Sequence, residues 1–210
     1  MCWSASVSLN TFLLGLFAVS LGLLNNITTP LYAVFLMSFI SIQLVEYFAW
    51  KNLSNPLTIR LVSIVGLSLI ILQPFASLIN ITTNPKWRVI LLSAYTLFIL
   101  MTFLWIKPLM SIEFKMSRAD NGHLRWHWLE GFPIYVIVLW CAFFLVRNIF
   151  EKEYIAIVVQ VIVISVIYMT YVSSGTWGSL WCWIANVVSF YIIYKVFSKD
   201  ICGYIKNRNA

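Results

Sequence analysis

Seven apolar runs, each near the length that crosses a lipid bilayer, follow one another along the chain. They cover about Ala5–Leu24, Leu31–Trp50, Thr58–Ile79, Arg88–Ile106, Phe132–Val146, Tyr154–Val172 and Gly178–Phe197. A spanning helix needs roughly 20 mostly apolar residues, and lipid forces every backbone polar group to pair within its own segment. The expected fold class is therefore all-α integral membrane: a seven-transmembrane-helix bundle forming a single domain over residues 1–210. The fifth run is the shortest, and Gly131 and Asn148 can extend it. Composition agrees, because 61% of residues are hydrophobic and 10% charged, with mean hydropathy +0.89. A soluble domain carries roughly 25% charged residues, so this chain cannot clothe a water-facing surface. The first run has no Lys or Arg before it, which reads as a retained span rather than a signal peptide.

Turn-forming segments separate the first runs. Leu24-Asn25-Asn26-Ile27-Thr28-Thr29-Pro30 and Ile79-Asn80-Ile81-Thr82-Thr83-Asn84-Pro85 match each other, each between an odd span and the next even one. A duplicated helical hairpin would leave this trace, as in repeat-built transporters. Convergent turn chemistry explains it more simply, since Asn, Thr and Pro are common turn residues. Net charge is +7, but the 14 Lys and Arg are scattered around the runs with no basic stripe. That pattern fits basic flanks near anionic lipid and excludes nucleic acid as a partner. Seven spans place the termini on opposite sides, with eight basic residues on the C-terminal face against six on the other. This bias leans toward a cytoplasmic C-terminus. Cys2, Cys141, Cys182 and Cys202 form no CxxC pattern, so neither a disulfide framework nor a structural metal is implied.

The fourth connector, an insertion over 109–130, has a different period. Met110, Ile112, Phe114 and Met116 alternate with Ser111, Glu113, Lys115 and Ser117, and alternation resumes at Leu124, Trp126 and Trp128 after Asp120-Asn121-Gly122. Period two around a turn signal predicts a β-hairpin, with Gly122 left-handed in a three-residue loop. The register pairs Met116 with Trp126, Phe114 with Trp128 and Lys115 with His127. The aromatic face is expected to lie against the bundle end or the lipid interface, with a surface helix as the alternative. His123, His127 and Glu130 would suit a metal only on a helix. On a strand the two histidines stand about 13 Å apart at roughly 3.3 Å per residue. No metal or other cofactor is expected.

Glu46 is the only acidic residue within a predicted span. An ionisable group there costs about 2.5–3.5 kcal/mol on insertion scales, which makes it a functional-site hypothesis. Gln43, Glu46 and Trp50 share one helical face, while Asn10 and Asn186 fall at similar depth on spans one and seven. Eight of the ten tryptophans, Trp183 among them, map to the N-terminal face. A symmetric belt would divide them between both interfaces. The expected ligand-binding set is Glu46, Gln43, Asn10, Asn186, Trp50 and Trp183, in a polar pocket open on that side. The bland alternative is polar interhelical contact beneath a thick aromatic belt. Span one also presents Ser4, Ser8, Thr11, Gly15, Ala18 and Gly22 as a small-residue packing stripe. Span three holds Gln73-Pro74, where proline removes a helical hydrogen bond. No lysine lies mid-span in the seventh run, and GxSxG, HExxH, Walker and dinucleotide motifs are all missing. No catalytic residue is assigned, and the reading leans away from an enzyme.

Met1-Cys2-Trp3-Ser4, Gln43-Leu44-Val45-Glu46 through Trp50, Gln73-Pro74, Gly122-His123-Leu124-Arg125-Trp126 and Gly175 through Asn186 occur together here. In combination they resemble an uncharacterised family of small multi-pass membrane proteins of large DNA viruses and some protists. The resemblance covers nearly the whole chain on short motifs. It implies no activity, cofactor or catalytic residue, and it adds a virion or host membrane to the settings considered. Two functions are expected to compete. One is a small transporter or channel-like protein that takes a small polar ligand or cation at Glu46. The other is a non-catalytic structural or interaction protein, self-associating or docking a partner at the hairpin.

Overall fold

The computed structural model describes residues 3–105 and 113–208, with side chains at 3–104, 113–179 and 183–199. The main helices are α1 (Ala5–Leu24), α2 (Pro30–Lys51), α3 (Pro56–Ile79), α4 (Pro85–Trp105), α6 (Ile134–Phe150), α7 (Tyr154–Tyr171) and α8 (Trp181–Arg208). Between α4 and α6 stand β1 (Met116–Arg118), β2 (Leu124–Trp126) and the one-turn α5 (His127–Glu130). A 3-10 turn, Trp177–Leu180, leads into α8. Among the described residues, six helices are long and apolar enough to cross a membrane: α1, α2, α3, most of α4, α7 and the segment Trp177–Lys199. The apolar α6 has 17 residues and falls short of them. The alternation at Met110–Ile112 and the sites Cys2, Cys182 and Cys202 lie outside the described residues and side chains.

The first three connectors are built alike. Asn25, Asn52 and Asn80 end α1, α2 and α3, and each side-chain amide donates to the carbonyl four residues back, at 2.8–2.9 Å. Thr29, Asn55 and Asn84 then cap the following helices, accepting from Tyr32, Thr58 and Trp87 N–H. Pro30, Pro56 and Pro85 occupy the first helical position, where a missing N–H costs nothing. The matching segments thus share a chemistry that the unmatched 52–56 connector also uses, which favours convergent turn chemistry over a duplicated hairpin.

Helix α2 is central, packing against α1, α3 and α8, and it buries 11 residues including Gln43 and Glu46. The α1 stripe meets it closely: a β-carbon on Gly15 would lie 2.6 Å from Ile40 Cγ2. Helix α6 runs beside α3, with Ser77 Oγ donating to Phe144 O and Trp140 Nε1 to Ile70 O. Pro74 lies inside α3, so Ile70 O loses its usual donor, the N–H four residues on. The Trp140 indole takes that place at 2.9 Å, and Tyr95 Oη donates to the next carbonyl, Ile71 O, at 2.6 Å. Helix α7 stands at the edge, with Ile167 its one buried residue.

The hairpin forms in the expected register, Met116 opposite Trp126 and Arg118 opposite Leu124, with Gly122 at φ 82°. The second strand ends at Trp126 and the chain turns into α5, so Phe114 and Trp128 do not pair in the ladder. His127 N–H still donates to Lys115 O at 3.2 Å. The hairpin sits deeper than an interfacial flap. A β-carbon on Gly66 would lie 3.3 Å from both Trp128 Cζ2 and Val45 Cγ1, and 3.7 Å from Met116 Cε. Gly66 is about 15 Å along α3 from Pro56 at 1.5 Å per residue. With Trp140 beside Ile70, α6 begins roughly 12 Å below Pro56 on the same scale. The hairpin and α5 fill the space that a full-length α6 would occupy.

Candidate functional site

On α2, Gln43 and Glu46 sit one turn apart with no solvent exposure. The gap at Gly66 brings Val45, Trp128 and Met116 together, so Glu46, next in sequence after Val45, lies at the level of the hairpin base. Ser63 is one turn before Gly66 on the same buried face of α3. Gly15 packs on Ile40, and α1 runs antiparallel to α2, so Ser8 falls level with about residue 47 by helix rise. One layer of the bundle therefore holds Ser8, Glu46, Ser63, Trp126 and Trp128, all at most 1% exposed.

The polar atoms of this layer are the unusual feature. Both Glu46 carboxyl oxygens, the Ser8 and Ser63 hydroxyls, and the indole nitrogens of Trp50, Trp126 and Trp128 are buried without a hydrogen-bond partner among the described residues. A buried polar group without a partner costs about 1–3 kcal/mol, more when charged. Membrane helices place polar residues toward one another or toward a cavity for that reason. The Trp126 and Trp128 rings stack at 5.1 Å, 17° apart. The layer combines a carboxyl, two hydroxyls and two indole donors, with the Trp50 indole one turn further along α2. It can exchange a proton or hold a small cation or polar solute, but it contains no nucleophile–base pair.

The expected set is only partly assembled. Glu46, Gln43 and Trp50 share the inner face of α2. Asn186 is half-buried and reaches α1, donating to Thr11 Oγ1 at 3.4 Å. Asn10 points away from the bundle, off the buried stripe Ser8, Thr11, Gly15, Ala18. Trp183 is 44% exposed and faces outward. Ser8, Ser63, Trp126 and Trp128 join the layer instead. No family model matches the chain, and neither does any curated protein or solved structure. The resemblance noted above therefore rests on its short motifs alone.

The hairpin's other face is polar. Ser117 Oγ and His127 Nε2 are 2.8 Å apart, and Arg125 holds Glu130 through two bonds of 2.6 and 2.7 Å. Burial lowers the pKa of His127, with Glu130 opposing and Arg125 and Lys115 assisting, and burial likewise lowers that of His123. At the tip, Asn121 Nδ2 donates to Ser174 Oγ and Thr176 Oγ1. A β-carbon on Gly175 would collide with Glu130 Oε1, and Gly175 adopts φ 66°, a conformation glycine tolerates. Among the described residues, no group of three His, Cys, Asp or Glu is placed to hold a metal ion.

Proposed function

We propose that this chain is a seven-span membrane protein of the small-transporter or channel-like kind, with α6 as its short span. Its working group is Glu46, held here in a closed state beneath the hairpin. The observation that carries the reading is the carboxyl itself, fully buried, without a hydrogen-bond partner among the described residues, and in one layer with four other such polar atoms. A purely structural acid would be expected to bond a neighbouring helix, because that is what makes its insertion tolerable. The hairpin adds support. Glu113 and Lys115 are exposed beside Met116, at the depth of Gly66, and charged side chains there call for water reaching in from the N-terminal face. Opening of the hairpin would connect that water to Glu46, which would take up a proton or small cation and release it on closing.

The test is reconstitution of the full chain in liposomes, with flux of protons and monovalent cations followed by entrapped dyes. Wild type is expected to conduct, and Glu46→Gln, nearly isosteric, to lose at least tenfold in flux while keeping its melting temperature within a few degrees. Equal flux in both proteins would remove Glu46 from the mechanism.

A second reading rests on the same hairpin. Glu113, Lys115, Arg118 and Asp120 are exposed together, a mixed-charge surface suited to a protein partner of a cellular or virion membrane. A partner that copurifies and is lost when these four become Ser, with no flux in wild type, would favour it.

A further inference from the structure

Two indole N–H groups share the Glu46 layer, and their chemistry narrows what the layer can hold. A β-carbon on Gly66 would lie 3.3 Å from Trp128 Cζ2, the atom bonded to the ring carbon that carries the indole nitrogen. The N–H edge of Trp128 therefore enters between α2 and α3, beside Val45. Trp126 turns its opposite edge toward Gly178, where a β-carbon would meet Cε3 at 2.9 Å and Cδ2 at 3.3 Å, so its nitrogen edge faces away from that contact. Both rings are at most 1% exposed, and neither N–H has a hydrogen-bond partner among the described residues. An indole N–H donates and never accepts. The acceptors in the same layer are the two Glu46 oxygens and the Ser8 and Ser63 hydroxyls.

We propose that the occupant of this layer is a proton carried on the Glu46 carboxyl, to the exclusion of sodium, potassium and divalent cations. The inference rests on the reading of Glu46 as the working group and names what that group carries. A bare cation needs a shell of oxygens in place of its water, roughly 6–8 for calcium and rings of backbone carbonyls for potassium. The unpartnered side-chain oxygens here are four, two from Glu46 and one each from Ser8 and Ser63. The proline break in α3, which frees a backbone carbonyl, lies eleven residues beyond Ser63, roughly 16 Å away at 1.5 Å per residue. A cation on the four oxygens would also take the lone pairs that the indole N–H groups need. A proton makes the opposite demand. On Glu46 it leaves one carboxyl oxygen as an acceptor and gives a donor for a serine hydroxyl. When that O–H bond breaks, its electron pair stays on the carboxylate and the proton passes to water entering from the N-terminal face. The carboxylate then accepts from indoles and hydroxyls, so its charge needs no counter-ion. Among the described residues no second charge reaches the layer. Helix α1 has no ionisable side chain, α8 brings no charged one before Lys195, and Lys51 and Arg60 are exposed nearer the N-terminal face. Glu113, Lys115, Arg125 and His127 belong to the polar face of the hairpin.

The experiment uses dicyclohexylcarbodiimide, a lipid-soluble reagent that adds to a protonated carboxyl and spares the carboxylate. The full wild-type chain in phosphatidylcholine nanodiscs is treated over a pH series in choline, sodium, potassium or magnesium chloride at equal ionic strength. The adduct on Glu46 is then quantified by peptide mass spectrometry, so no variant has to fold. Label is expected to rise severalfold as pH falls and to be the same in all four salts. A cation that shared the site would displace the proton and shield the carboxyl. Severalfold protection by sodium, potassium or magnesium relative to choline overturns the proposal, and so does absence of label at every pH. Flux in liposomes separates this inference from the reading it rests on. Sodium or potassium flux that is lost in Glu46→Gln overturns the proton assignment and leaves the transport reading standing. Labelling that is independent of the salt, with no flux of any ion, overturns the transport reading and leaves Glu46 as a proton site.

Discussion

At the scale of single residues, the layer around Glu46 divides into what a sequence shows and what only packing shows. An acid inside an apolar run is conspicuous, because insertion penalises it, and its helical neighbours Gln43 and Trp50 follow from spacing. Ser8 and Ser63 carry no such signal. A serine in a span usually bonds back to its own helix, as Ser68 does to Ile64 O and Ser189 to Ala185 O. Asn10 could have been set aside from sequence, since the small-residue stripe defines the inner face of α1 and Asn10 is off it. The two hairpin histidines give a pH dependence whose sign is fixed. Burial lowers both pKa values below the unfolded reference of about 6.5. The folded hairpin therefore binds fewer protons than the unfolded one. Its stabilisation is full above about pH 6.5 and is lost as pH falls through the lower folded values. Amide protection factors over residues 116–126, with the intrinsic pH dependence of exchange divided out, are expected to fall severalfold from pH 7.5 to pH 5. His123→Gln/His127→Gln should flatten that profile; an equally steep profile in the double variant would assign the effect elsewhere.

At the scale of elements, helix ends and the proline in α3 carry separable energies. Asn80 donates to both Ala76 O and Leu31 O in a buried setting, whereas Asn52 makes one exposed bond to Phe48 O. Asn80→Ala should cost about 1–2 kcal/mol and Asn52→Ala about half that or less, since each net hydrogen bond is worth roughly 0.5–1.5 kcal/mol. Thermal melts in one detergent compare the two, and the reverse order would contradict the assignment. Pro74 and Trp140 are coupled through Ile70 O, so removing the indole donor hurts only while proline withholds the backbone one. A cycle of Pro74→Ala, Trp140→Phe and the double variant should show a coupling of about 1–2 kcal/mol, within the usual range for residues sharing a partner. Purely additive effects would mean that the indole bond contributes nothing. The Gln73-Pro74 pair was visible in the sequence, but its partner 66 residues away was not, because a tryptophan in an apolar run looks like any other core residue. The hairpin register was legible from alternation and the Asp-Asn-Gly turn. Its ending was not: Trp128 continues period two, yet it reaches its place against Gly66 from a helical turn.

At the scale of the whole molecule, the first four apolar runs were legible to within three residues, since long apolar helices and Asn–Pro turns leave few alternatives. The fifth and seventh run on past their expected ends, to Phe150 and Arg208. The depth of the hairpin was not legible, because nothing in residues 113–130 alone distinguishes a surface flap from a plug. That depth depends on segments far along the chain. Asn121 bonds Ser174 and Thr176, and a β-carbon on Gly178 would touch Leu129 and Trp126 at 2.8 and 2.9 Å. The seat of the hairpin is thus completed by residues made about 50 positions later. During synthesis on the ribosome, Trp126 and Trp128 must wait without that seat until the last helix emerges. A chain ended after residue 171 should leave them open to N-bromosuccinimide and the 113–130 region open to protease, while α1 to α3 stay protected. The same chain supplied with residues 172–210 as a separate fragment should regain protection. Late closure would make the final helix the step at which the nascent protein becomes sealed, and chaperone or quality-control factors would see an exposed tryptophan pair until then.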